Sequence, residues 1–158
     1  MAQVVVRQGK PGDARAMAEL FAAVAGERDK IATEPPVDVA ERARFFARAA
    51  GASVVAVADG EIVGMLHVEV SRFGFGDVGM LVGRDWRGRG VGPALLQAAI
   101  AWGRREGLHK LCLEVFPHNT AAITVYHRAG FEAEGRRPRQ IRRASGELWD
   151  TIVMGLPL

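Results

Sequence analysis

At 158 residues, 49% hydrophobic and 25% charged, the chain has the make-up of an ordinary soluble globular protein, and as one domain over residues 1–158 it can bury roughly 70% of its unfolded-state surface. A net charge of +3 is too small to argue for nucleic acid, which is disfavoured as a partner, and a single cysteine, Cys112, excludes an internal disulfide. The apolar run at residues 4–6 is too short for a signal peptide and no membrane-spanning stretch follows, so the cytoplasm is the expected compartment.

Residues 3–7 read as a short strand, closed by Gly9, Pro11 and Gly12. Asp13 is placed to cap a helix whose apolar residues Met17, Leu20, Phe21 and Val24 recur at helical spacing until Gly26. Residues 27–37 hold Pro35 and Pro36 and form a loop. Asp38 and Glu41 make a capping-box-like start to a second helix through Phe45 and Phe46. Two apolar runs, 53–58 and 62–70, flank Asp59-Gly60, a hairpin pair in which both residues tolerate positive φ. A strand at 78–82 then leads through a basic, glycine-rich turn into an amphipathic helix ending near Arg104, Arg105 and Gly107. Residues 110–116 form another strand, Asn119 caps a helix through Tyr126 to Gly130, and two last strands flank Ala144-Ser145-Gly146. This order predicts an α/β fold, a mixed sheet of six or seven strands flanked by about four helices.

The glycine-rich turn is the most informative stretch. A helix N-terminus presents unpaired N–H groups and a partial positive charge, and glycines let an anion approach the backbone closely. Pro93 suits the first turn, where its missing N–H is not needed. Counting from Gly88, the sixth position is Pro93, which breaks the dinucleotide fingerprint, and no Gly-Lys-Ser/Thr triplet supplies a P-loop. What remains is Arg87-x-x-Gly90-x-Gly92 behind Met80-Leu81-Val82. Further on, Asn119 and Tyr126 stand seven positions apart, followed by Gly130-Phe131. That is about 10 Å along one helical face.

These two motifs resemble the GCN5-related N-acetyltransferase (GNAT) family, and the resemblance runs over residues 4–154. It implies the GNAT fold and an acetyl-CoA-dependent N-acetyltransferase, with direct attack of a primary amine on the thioester. The acceptor would be a small molecule such as an amino acid or polyamine, or a protein N-terminus or lysine. The resemblance assigns the pyrophosphate to Arg87, Gly88, Arg89, Gly90, Val91 and Gly92, the pantetheine arm to Met80, Leu81 and Val82, and a further contact to Asn119. It places Tyr126, the only tyrosine, at the departing sulfur, and Glu114 matches the glutamate taken as base in ribosomal-protein N-terminal acetyltransferases of the family. Asp77, Glu69 and His67 are alternative bases, as is a relayed water. Dimers are common among similar proteins, so a homodimer is an expectation.

The remaining candidates read as structural. Cys112 lacks a histidine partner pattern, and the four histidines show no metal spacing, so no metal is expected. No Gly-x-Ser-x-Gly elbow is present. Trp86 reads as packing, and the arginines of 136–143 as a solvated strand edge, a charged cleft rim being the sharper reading. Glu34, in the loop expected to shape the acceptor site, could pair with a cationic acceptor. A non-catalytic acyl-CoA-binding module is the alternative function.

Overall fold

The computed structural model describes residues 2–158. Seven strands, β1 (Val4–Gln8), β2 (Ser53–Ala58), β3 (Glu61–Val70), β4 (Phe75–Val82), β5 (Lys110–Val115), β6 (Glu132–Arg142) and β7 (Leu148–Pro157), form one mixed sheet in the order β1-β2-β3-β4-β5-β7-β6. Four helices, α1 (Ala14–Ala25), α2 (Val39–Arg48), α3 (Val91–Arg105) and α4 (Thr120–Arg128), cover its two faces.

Each helix begins and ends for local reasons. The carboxylate of Asp38 accepts from the Glu41 N–H at 3.0 Å and starts α2, and the Asn119 carbonyl accepts from Ala122 N–H at 3.4 Å and starts α4. Asp13 departs from expectation. It precedes α1 without capping it, because its carboxylate takes the Arg7 guanidinium at 2.8 and 2.9 Å and the Lys10 N–H at 2.8 Å. Asp59 and Gly60 turn β2 into β3 with φ of 50° and 78°.

Period-two alternation sorts the sheet residues into two cores. Leu66, Leu111, Leu113 and Met154 pack under α3 with Leu95, Leu96 and Ile100, while Val55, Met65 and Leu81 pack under α1 and α2 with Met17, Phe21 and Phe46. A fully buried Leu or Phe contributes about 1.5–3 kcal/mol, so the five largest side chains of either core outweigh any surface ion pair.

The register positions the site. β4 runs antiparallel to β3 along its length, from Gly76 opposite Val70 to Val82 opposite Gly64. Its parallel pairing with β5 covers only Phe75–Lys110, Gly76–Leu111 and Asp77–Cys112. β5 continues to Val115 paired with β7 instead. Beyond Asp77 the two central strands part, and among the described residues the β4 edge over residues 78–82 has no strand partner on that side.

Candidate active site

The parting of β4 and β5 opens a cavity of about 580 Å³. Residues 78–82 form one wall, Glu114, Val115 and Phe116 another, and Gly88, Gly90, Val91, Gly92 and Pro93 close one end. Asn119, Val125 and Tyr126 of the α4 region complete that side, while Lys30, Ile31 and Ala32 cover the opposite one.

The closing turn is built to leave its donors free. Gly88 and Gly90 adopt φ of 73° and 82°, the left-handed region, and a Cβ added at either would meet nothing within 4 Å. Gly90 is the N-cap of α3 and brings no side-chain cap, and the first N–H bonded into the turn is that of Ala94, to the Gly90 carbonyl at 3.2 Å. Val91 and Gly92 N–H therefore lie at the positive end of a 15-residue helix without an internal partner. Arg89 stands over the Trp86 ring, 5.1 Å away, and Trp86 packs on the core, as its sequence reading expects.

Arg87 is differently engaged. Its Nη atoms both donate to Glu27 at 2.6 Å and its Nε donates to the Val82 carbonyl at 3.0 Å. The guanidinium thus ties the start of the α1–α2 loop to the end of β4, and the Glu27 carboxyl is held below its usual range by that hydrogen-bonded pair.

Tyr126 is 7% exposed, lines the cavity, and meets Phe131 edge-on at a centroid distance of 5.9 Å. Burial pushes its hydroxyl up to about 12, so it stays protonated at neutral pH. Asn119 spends its carbonyl oxygen on the α4 cap, which leaves its NH₂ to donate.

Glu114 and Asp77 share the sheet face covered by α1 and α2, because Leu113 and Val115 occupy the other. Arg137 of β6 pairs with the Glu114 carboxylate. The Asp77 carboxyl is raised, first by burial, then by the charges of Glu69 and Glu114, against the opposing effect of Arg137. His67 projects into the α1–α2 core. Its ring lies 5.8 Å from both Phe45 and Phe46, burial pushes it down, and its Nδ1 has no partner among the described residues. Gly79 faces it, and a Cβ there would strike the ring.

Other contacts were invisible in the sequence. Glu34, read from the sequence as able to pair with a cationic acceptor, accepts from Ala144 N–H at 2.6 Å and stands 3.6 Å from Arg28 and 3.7 Å from Arg143. Arg143 is 3% exposed, whereas Arg136, Arg137, Arg139 and Arg142 lie on the surface as expected. Thr151, 3% exposed, lines the cavity with an unpartnered hydroxyl. A regular polar strand edge carries no signal of which arginine folds inward. Cys112 is half-buried in the sheet with its thiol pushed up by burial. Among the described residues no three His, Cys, Asp or Glu side chains gather as a metal site, and no helix is long and apolar enough to cross a membrane.

The sequence profile of the Acetyltransferase (GNAT) family matches residues 16–131. The chain belongs to the GNAT acetyltransferase family. The acetyltransferase is 30% identical to the L-amino acid N-acetyltransferase AaaT of Escherichia coli K12, over 98% of either chain. It is 32% identical to an L-methionine sulfoximine/L-methionine sulfone acetyltransferase of Pseudomonas paraeruginosa, over 97% of this chain and 94% of that one. Its fold superimposes on the YncA protein of Salmonella typhimurium, solved with its cofactor acetyl-CoA, with a TM-score of 0.87 at 21% identity, covering 98% and 94% of the two chains. Membership makes this acetyltransferase an acetyl-CoA-dependent N-acetyltransferase, and the regulatory-module alternative loses to it.

Proposed function

We propose that the acetyltransferase acts on the primary amine of a small acceptor of the amino-acid type, with donor and acceptor meeting where β4 leaves β5. The observation that carries this reading is an unpaired strand edge ending at an uncapped helix N-terminus, along one cavity. The named acceptors of the two relatives favour an amino acid over a protein N-terminus or lysine. The apolar walls Val24, Ile31, Ala32 and Ile141 suit a small acceptor with an apolar side chain.

Acetyl-CoA supplies the thioester carbon that the amine attacks; as the C–N bond forms the carbonyl oxygen becomes an oxyanion, and the C–S bond breaks as that carbonyl re-forms, the sulfur leaving as the thiolate. In this reading the main-chain N–H groups of Arg87, Gly88, Arg89, Gly90, Val91 and Gly92 receive the diphosphate. Arg87 takes part through its backbone, since Glu27 holds its side chain. Met80 and Val82, whose main-chain groups face away from β3, offer the free β4 edge to the pantetheine amides and N–H donors to the developing oxyanion, while Leu81 is paired with Met65 of β3. The Asn119 NH₂ steadies the same arm.

Tyr126 serves the leaving sulfur. With its hydroxyl pushed up to about 12, above the ordinary thiol value of about 8.5, the phenol is a weak acid toward a thiolate. Hydrogen-bond donation to the sulfur is therefore its role. Glu114 lines the cavity and Asp77 stands just outside its lining, one position before the β4 wall, so the amine proton reaches Asp77 through water. Glu114 is already ion-paired with Arg137, whereas Asp77 is raised toward the pKa of the group it must deprotonate. We assign the proton to Asp77, with Glu114 holding Arg137 and the ammonium. The cytoplasm, reducing and supplied with acetyl-CoA, suits this activity, and a homodimer belongs to the same reading.

The test is thiol release from acetyl-CoA with a panel of L-amino acids, a polyamine and lysine- or N-terminus-bearing peptides. Turnover of amino acids at least tenfold above peptides is expected. Turnover of peptides alone would overturn the acceptor class.

A further inference from the structure

We infer that Arg143 is a positioning residue for the amine, its buried guanidinium holding residues 28–34 as the wall of the acceptor end of the cavity. This rests on the reading of that cavity given above. The segment needs an external hold. Among the described residues, no main-chain N–H of residues 29–37 bonds to a main-chain carbonyl, so neither helix nor ladder fixes it. Ordering each such residue costs backbone entropy that something else must offset.

Arg143 supplies that hold. Its Nη1 donates to the Ala32 carbonyl at 2.8 Å and the Ile31 carbonyl at 3.3 Å, and its Nη2 donates to the Arg28 carbonyl at 2.7 Å. Its guanidinium carbon lies 4.3 Å from the Trp149 ring centroid and 5.3 Å from that of Phe116. Next to it, His118 stacks on Phe116 at 5.4 Å, and its Nε2 meets the Asp29 carbonyl at 2.8 Å. Glu34 closes the arrangement through Ala144.

A cation this deep is costly unless its donors are matched; both Nη atoms are, Nε has no partner among the described residues, and the planar fork of arginine reaches three carbonyls that a lysine cannot. The carbonyls so held belong to the segment that lends Lys30, Ile31 and Ala32 to the cavity. Arg143 lies outside the cavity lining and acts through them. Its removal leaves the donor half, built on β4 and α3, as it was.

The decisive comparison is Arg143→Met, which keeps the apolar stem and removes the fork, against wild type. Expected are a tenfold or greater rise in the KM for the amine, a KM for acetyl-CoA within twofold, and amide hydrogen exchange at least tenfold faster over residues 28–34. Arg143→Lys falls between the two. If Arg143→Met does not fold, Glu34→Gln, loosening the same segment at its far end, is expected to raise the amine KM about threefold and leave that for acetyl-CoA alone. An amine KM within twofold of wild type, or both KM values rising together, would overturn the inference. A wild-type protein that turns over no amine defeats the reading of the cavity instead. The exchange measurement then decides the strut by itself, and unchanged exchange at 28–34 sinks it.

Discussion

Tyr126 illustrates how burial selects a role for one side chain. A hydroxyl held near 12 is a poor acid toward a thiolate but a permanent hydrogen-bond donor. Tyr126→Phe is therefore expected to lower kcat about 100-fold, at the low end of acid–base contributions, with the KM for acetyl-CoA within twofold. Unchanged kcat would remove Tyr126 from the chemistry. Asp77 and Glu114 separate by pH. Because the Asp77 carboxyl is raised in the folded protein, kcat/KM should fall with decreasing pH through an inflection above the ordinary carboxylate value of about 4. Asp77→Asn abolishes that inflection along with most activity, and Glu114→Gln retains it. The opposite result transfers the proton to Glu114. At this scale the sequence nominates Tyr126, Asn119 and Glu114, each from a local pattern, and all three line the cavity. The weight on Asp77 was not legible, since it comes from burial and from Glu69 and Glu114 across neighbouring strands.

Among the elements, the turn into α3 shows a local sequence specifying a local geometry. Gly88 and Gly90 sit at positive φ with open space where a Cβ would go, so only backbone conformation demands glycine there. Gly90→Ala is expected to cost about 1–2 kcal/mol of strain and to raise the KM for acetyl-CoA about tenfold. Scanning calorimetry and steady-state kinetics check the two halves separately. Gly79 is different. Its missing side chain makes room for His67 of β3, a reason no reading of β4 alone could supply. Residues 136–143 divide the same way: the run reads as a polar strand edge, which it is for every arginine but Arg143.

For the molecule as a whole, the cavity lies between parts of the chain that meet only on folding, which links ligand binding to stability. Acetyl-CoA at 100 times its Kd adds about 2.7 kcal/mol, a rise in Tm of roughly 5–11 °C for a protein of this size. No shift at saturation would mean the cavity is not the donor site. The Arg87–Glu27 pair spans the same assembly, and its pH dependence has a definite sign. Glu27 is depressed in the folded state, so its contribution is complete above the unfolded carboxylate pKa and is lost as pH falls through the folded one. Thermal melts of wild type and Glu27→Gln should be fully separated above about pH 5, draw together as pH falls below about 4, and converge only below the depressed folded-state value. Parallel curves would refute the linkage.

Short-range patterns were enough for the element order and for the glycine-rich turn into α3, because alternation, capping residues and glycine conformations act within a few residues. Long-range packing alone settled where β4 leaves β5, why Arg87 and Glu34 are engaged by the protein itself, and which arginine is buried. Those outcomes depend on contacts between segments up to 115 positions apart, such as Arg143 with Arg28, and local composition holds no record of the partner that will arrive.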